Sequence, residues 1–184
     1  MGEHNVDQEL DERKLHEFTQ SLLADLRALA FMLEDGRIES GVRRIGAEQE
    51  MFLVDRSLRP APIAVEVLEN AGDDRLTTEI ARFNLEANLT PLALTGRCFH
   101  SLHEELKDVL GKARLAASEF GADVLLAGIL PTLRVSDLTL ANLTPIPRYH
   151  ELNRSVTGLR REPFSIHIKG LDELQLTHDN MMME

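Results

Sequence analysis

The chain has 184 residues and sets 31 acidic side chains against 20 basic ones, a formal charge of −11. That balance excludes a nucleic-acid binder, because phosphate backbones are gripped by clustered Lys and Arg. With 43% apolar and 28% charged residues the composition is that of a folding chain, and its length suits one domain. The single cysteine, Cys98, can form neither an internal disulfide nor a zinc ribbon, and is expected to be a half-buried thiol. The charged first twenty residues are no signal peptide, and there is no apolar run of spanning length. A cytoplasmic chain without membrane contact is therefore expected. There the Asn-x-Ser/Thr triplets at Asn88, Asn142 and Asn153 carry no glycan.

From about Glu9 to Glu34 the residues Leu15, Phe18, Leu22, Leu26, Leu29 and Leu33 recur at helical spacing, and Gly36 closes the helix. Val42–Val54 reads as a strand, with Gly46, Glu48, Glu50 and Phe52 on one face and Ile45, Ala47, Gln49 and Met51 on the other. Pro60–Asn70 reads as a loop and a short helix from about Ala64, followed by a turn at Asp73-Asp74. Leu76–Thr90 is expected to be a strand stopped by Pro91. A long amphipathic helix follows from Gly96 to Phe120, closed by Gly121. The apolar run Ala122–Leu130 predicts a central buried strand ended by Pro131. A proline-containing loop then leads to a helix near Pro147–Val156, and Phe164–Gly170 with Leu174–Thr177 reads as a hairpin. The fold class is α+β, with a largely antiparallel sheet covered by helices on one face.

Glu48-Gln49-Glu50 is the sharpest chemical feature, because residues two apart on a strand share a face. Two carboxylates on a partly buried strand repel each other unless a cation or several donors compensate them, and hard oxygen ligands so placed suit Mg²⁺ or Mn²⁺. Glu79 and Glu86 form a second pair. Their step of seven puts them on opposite faces of a regular strand, so either a bulge or strong twist brings them together or only one enters the site. Arg148-Tyr149 couples a guanidinium, able to clamp a carboxylate or phosphate, with the chain's one tyrosine. His167 and His178 lack ligand spacing and read as structural, and no glycine-rich phosphate loop occurs.

The segments RRIGAEQEMFLVD, TTEIARFNLEANLTPL, AGILPTLR and PIPRYHELN, in that order, resemble the N-terminal part of the glutamate–cysteine ligase family 2 proteins, or carboxylate-amine ligases. The resemblance runs from about Val42 to the C-terminus. It divides the chain into an N-terminal helical segment, residues 1–41, and the N-terminal part of a catalytic domain, residues 42–184. It implies a glutamine synthetase-like half-funnel of curved antiparallel sheet, whose acidic residues bind Mg²⁺ (or Mn²⁺) holding ATP. The implied reaction phosphorylates a carboxylate, typically of glutamate, and lets an amine such as that of cysteine attack the acyl phosphate. By motif, Glu48, Glu50, Glu79 and Glu86 would be metal ligands, and Arg148 and Tyr149 would lie near substrate and phosphate. Family members continue beyond this chain's last residues, so a half-domain is expected, pairing with itself or with a complementing chain. The alternative is a non-catalytic remnant that keeps a metal or nucleotide site or serves in assembly.

Overall fold

A computed structural model describes residues 12–159 and 164–178. In chain order the elements are α1 (Glu12–Glu34), β1 (Arg44–Ile45), β2 (Glu48–Val54), α2 (Ala64–Ala71), β3 (Leu76–Thr78), β4 (Asn84–Asn88) and β5 (Leu92–Ala93). They continue with α3 (Cys98–Ser118), β6 (Asp123–Leu125), α4 (Pro147–Leu159), β7 (Phe164–Lys169) and β8 (Glu173–His178). Two single 3-10 turns lie between β6 and α4. The α+β expectation holds, and every strand pairing is antiparallel. No helix among the described residues is long and apolar enough to cross a membrane.

The principal sheet has the order β3-β4-β2-β6. Its first face is the helical one. Met51 and Leu53 of β2 and Leu85 and Ala87 of β4 meet Ala64 and Val67 of α2 and Leu102, Val109 and Ala113 of α3 in one buried cluster. These positions alternate along each strand and recur at steps of seven and four along α3, which is why the pattern is legible in the chain. Gly72 ends α2 in the left-handed conformation, with its N–H returned to the Leu68 carbonyl. Cys98, at the start of α3, is buried rather than half-buried.

Three strand assignments need correction. Val42–Val54 is not one strand, because Gly46 and Ala47 stand opposite three residues, Leu89 to Pro91, and the mismatch separates the β1–β5 ladder from the β2–β4 ladder. Pro91 has no N–H to offer a continuous ladder. Leu76–Thr90 is not one strand either. It is a hairpin, β3 and β4 joined through residues 79–83. The run Ala122–Leu130 contributes only the short β6, and β6 pairs with β2 alone, at the sheet's edge. Beyond β6, Leu126 and Ile129 are exposed.

Among the described residues, the second face of the sheet has an apolar cover at one end only. Phe52 and Val54 of β2, with Phe83, pack against Leu130 and Leu143 from the long connection after β6, with Leu133, Leu138 and Tyr149 alongside. Arg59 anchors that cover, donating to the Thr132 carbonyl and to Asp137, the latter at 2.6 Å. The other end of the same face carries Glu48, Glu50 and Glu86.

Two elements lie outside these cores. No residue of α1 is buried, and its predicted stripe, Phe18 and Leu33 among it, faces solvent. The β7–β8 hairpin forms as expected, with Ile166, Ile168, Leu174 and Leu176 exposed. His167 pairs with Glu173 across it, a structural role. The side chain of His178 and the helix start expected at Glu9 lie outside what the described residues cover.

Candidate metal centre

Strand pairing assembles the acidic site. Glu50 of β2 stands directly opposite Glu86 of β4, and Thr77 of β3 stands opposite Glu86 on the other side. Directly opposed residues share a face. Glu79, two residues past Thr77, therefore emerges on the same face as Glu50 and Glu86. The odd step of seven between Glu79 and Glu86 is resolved by a turn between two strands rather than by a bulge or twist within one.

One carboxylate oxygen from each of Glu50, Glu79 and Glu86 lies within 4.8 Å of the other two. Glu50 is exposed, while Glu79 and Glu86 are partly buried. Glu48 pairs with Asn88 and shares the face, but it stays outside that group of three oxygens. It does line the adjoining pocket of about 320 Å³, together with Glu79, Glu86, Thr77, Arg148 and Tyr149. The pocket thus gathers five of the six residues singled out in the sequence, and the oxygen cluster supplies the sixth, Glu50. Larger hollows elsewhere, such as that between α2 and α3 lined by Glu66, Lys112 and Phe120, contain none of them.

The electrostatics of the cluster are those of crowded like charges. Burial, first, and then the hydrogen bond Glu79 shares with Glu86 push the Glu79 carboxyl up to about 7, and the charges of Glu86 and Glu50 add to the rise. The Ile80 N–H, 3.3 Å from Glu79 Oε2, acts in the opposite direction. Asn88 donates to Glu86 Oε1 at 2.6 Å. Among these groups no cation balances the three carboxylates. The exposed Arg148 lines the pocket and makes no ion pair among the described residues. Three convergent hard oxygens, one side open to solvent, form a donor set that fits a divalent cation retaining waters or phosphate oxygens in its other positions.

Tyr149 lines the pocket, and its hydroxyl donates to the Thr78 carbonyl at 3.0 Å. Burial raises its pKa. Sequence reasoning missed Thr77 and Thr78 in the wall, and it missed Thr144, which is fully buried beneath it. The one available signal was an apparent glycosylation triplet, Asn142-Leu143-Thr144. Asn142 instead spends its side-chain amide on the Asp137 carbonyl at 2.7 Å, and the Thr144 hydroxyl goes to the Glu79 carbonyl at 2.6 Å.

Comparison with known proteins follows the same residues. The family model described as Glutamate-cysteine ligase family 2 (GCS2) matches residues 44–170, which contain every residue of the pocket. A protein of Rhodococcus jostii (strain RHA1) named "Putative glutamate--cysteine ligase 2-1" is 38% identical over 112 residues, 60% of this chain and 28% of that protein. The chain therefore spans little more than a quarter of the length of this relative. No solved structure matches it.

Proposed function

The chain belongs to glutamate–cysteine ligase family 2, and from that premise we propose that it carries the metal-binding part of an ATP-dependent carboxylate–amine ligase. The observation that carries the reading is the convergence of Glu50, Glu79 and Glu86 within 4.8 Å beside a pocket that Arg148 also lines. We read the antiparallel sheet as one side of a glutamine synthetase-like funnel, with glutamate as the acid and an amine such as that of cysteine as its partner.

Mg²⁺ or Mn²⁺, when bound, neutralises phosphate charge during transfer. Glu50, Glu79 and Glu86 would hold it, and Glu48, two residues before Glu50 on the same face of β2, would serve a second ion. In the reaction, an oxygen of the substrate carboxylate bonds to the γ-phosphorus of ATP while the bond to ADP breaks. The amine nitrogen then bonds to the acyl carbon, phosphate leaves, and the nitrogen loses a proton. Arg148 offers a guanidinium to phosphate or carboxylate oxygens during these steps. No protein nucleophile is needed, in keeping with a pocket wall of carboxylates, threonines, Arg148 and Tyr149.

The exposed apolar residues of α1 and of β7–β8 favour a second reading, in which the chain is a non-catalytic, metal- or nucleotide-binding partner in an assembly. Melting of the chain with Mg²⁺-ATP, with EDTA, and as the Glu48→Gln, Glu50→Gln double variant tests the shared part of both. A metal-dependent rise in Tm that the double variant loses is expected. No rise in a cooperatively folded chain would remove the metal reading. Incubation with ATP, Mg²⁺, glutamate and amines, read by mass spectrometry, then separates ligase from partner.

A further inference from the structure

The Glu79 side of the turn is held by one short stretch of chain more than sixty residues downstream, while the Arg82 and Phe83 carbonyls on its far side accept from the Ala64 and Leu53 N–H groups. Residues 79–83 contain neither glycine nor proline, so the turn has none of the residues that favour tight reversal. Its backbone polar groups are met one after another instead. The Tyr149 hydroxyl donates to the Thr78 carbonyl at 3.0 Å, and the Thr144 hydroxyl to the Glu79 carbonyl at 2.6 Å. The Thr144 N–H donates to the Ile80 carbonyl at 2.8 Å, Ala81 and Leu143 form an isolated antiparallel bridge, and the Arg82 N–H donates to the Asn142 carbonyl at 2.8 Å. Thr144 is fully buried, and it is one of only two buried polar or charged residues among those described. Of the three clustered carboxylates, Glu50 and Glu86 sit on paired strands, whereas Glu79 lies just past the end of β3.

We propose that Thr144, seconded by Tyr149, is a positioning residue of the metal centre: its hydrogen bonds to the Glu79 and Ile80 carbonyls fix the backbone just after the Glu79 side chain, Tyr149 holds the Thr78 carbonyl just before it, and together they set where the third carboxylate stands. This inference rests on the reading of Glu50, Glu79 and Glu86 as a cation site. The side chain of Thr144 never reaches the ion. It acts through the Glu79 main chain, so the hydroxyl rather than the bulk of the residue is what counts. Valine has nearly the same shape without the donor, and serine keeps the donor without the methyl group.

The test is Mn²⁺ affinity, read from the electron paramagnetic resonance of free Mn²⁺ at one fixed pH, on the 184-residue chain. Compared are the unaltered chain, Thr144→Val, Thr144→Ser, Tyr149→Phe, and Val67→Ala as an equally buried change on the far face of the sheet. Thr144→Val is expected to weaken binding by about ten-fold, the lower end of the effect usual for groups that orient a metal ligand. Thr144→Ser should restore most of it, Tyr149→Phe should show a smaller loss, and Val67→Ala should lower Tm with affinity unchanged. Thr144→Val binding as tightly as the unaltered chain would overturn the positioning role and leave the metal site standing. A loss in Val67→Ala as large as that in Thr144→Val would overturn it too, since general loosening would then account for both. An unaltered chain that binds no Mn²⁺, and is indistinguishable from Glu50→Gln, would remove the metal reading and this role with it.

Discussion

The two ends of one sheet face behave as different materials. At the Phe52 and Val54 end, apolar residues are sealed beneath Leu130, Leu143 and Tyr149. Two residues back along β2, the exposed Glu50 faces Glu86 at the edge of an open pocket. The backbone ladder is common to both, so stability and chemistry divide along a single strand. The sealed end gains from burial, while the open end holds like charges together at a cost, as binding sites do.

The largest expected effect lies at the sealed end. Phe83→Ala, at a position with no solvent exposure, should cost about 3–5 kcal/mol in urea unfolding. A loss below about 1 kcal/mol would mean that the cover is not what stabilises this face. Next comes the anchor of that cover. Asp137→Ala removes the partner of Arg59 and of the Arg134 N–H and should cost about 1–3 kcal/mol, with an unchanged midpoint telling against the anchor.

The open end should respond in the opposite sense. A carboxyl raised in the folded state binds its proton more tightly there than in the unfolded chain. The metal-free protein therefore loses stability as pH climbs from about 4.5 through about 7. Glu79→Gln should abolish that part of the pH dependence, raise Tm above neutrality and lose any protection by Mn²⁺. Melting curves of both proteins across that range decide the matter, and parallel curves would mean that Glu79 is not the group under strain. Smallest of all, Arg148→Ala should leave stability within about 0.5 kcal/mol, as expected for an exposed side chain without an ion-pair partner among the described residues. Its effect should appear in the affinity for Mg²⁺-ATP, measured by calorimetry, and equal affinities would take Arg148 out of the phosphate site.

What the sequence disclosed follows the same division. The stripe from Phe99 to Ala117 located α3 because burial on one side leaves a helical period, although Phe99 and Leu115 proved exposed. The acidic pairs drew notice because carboxylates between apolar neighbours need a reason. The hairpin at residues 79–83 escaped because its turn has no local marker and is held by residues remote in the chain, 142–149 on the Glu79 side and Ala64 and Leu53 on the other. Ala122–Leu130 was read as a central strand because an apolar run reports hydrophobicity and not partners, whereas β6 finds only three residues of β2 to pair with. Convergence of Glu79 with Glu86 could not be read until strand pairing was known.

The Glu79 turn also has a history in time. Thr144 stands 65 residues after Glu79, so at ribosomal speeds of about 5–20 residues per second the hairpin waits roughly 3–13 s before the segment that fixes it has been made. Throughout that interval β3 and β4 can pair and the Arg82 and Phe83 carbonyls can be met by Ala64 and Leu53, but the Glu79 side of the turn lacks its fastening. A nascent chain of this protein therefore passes through a stage that has the carboxylates without their arrangement, and only the later stretch turns a loose acidic hairpin into a defined set of oxygens.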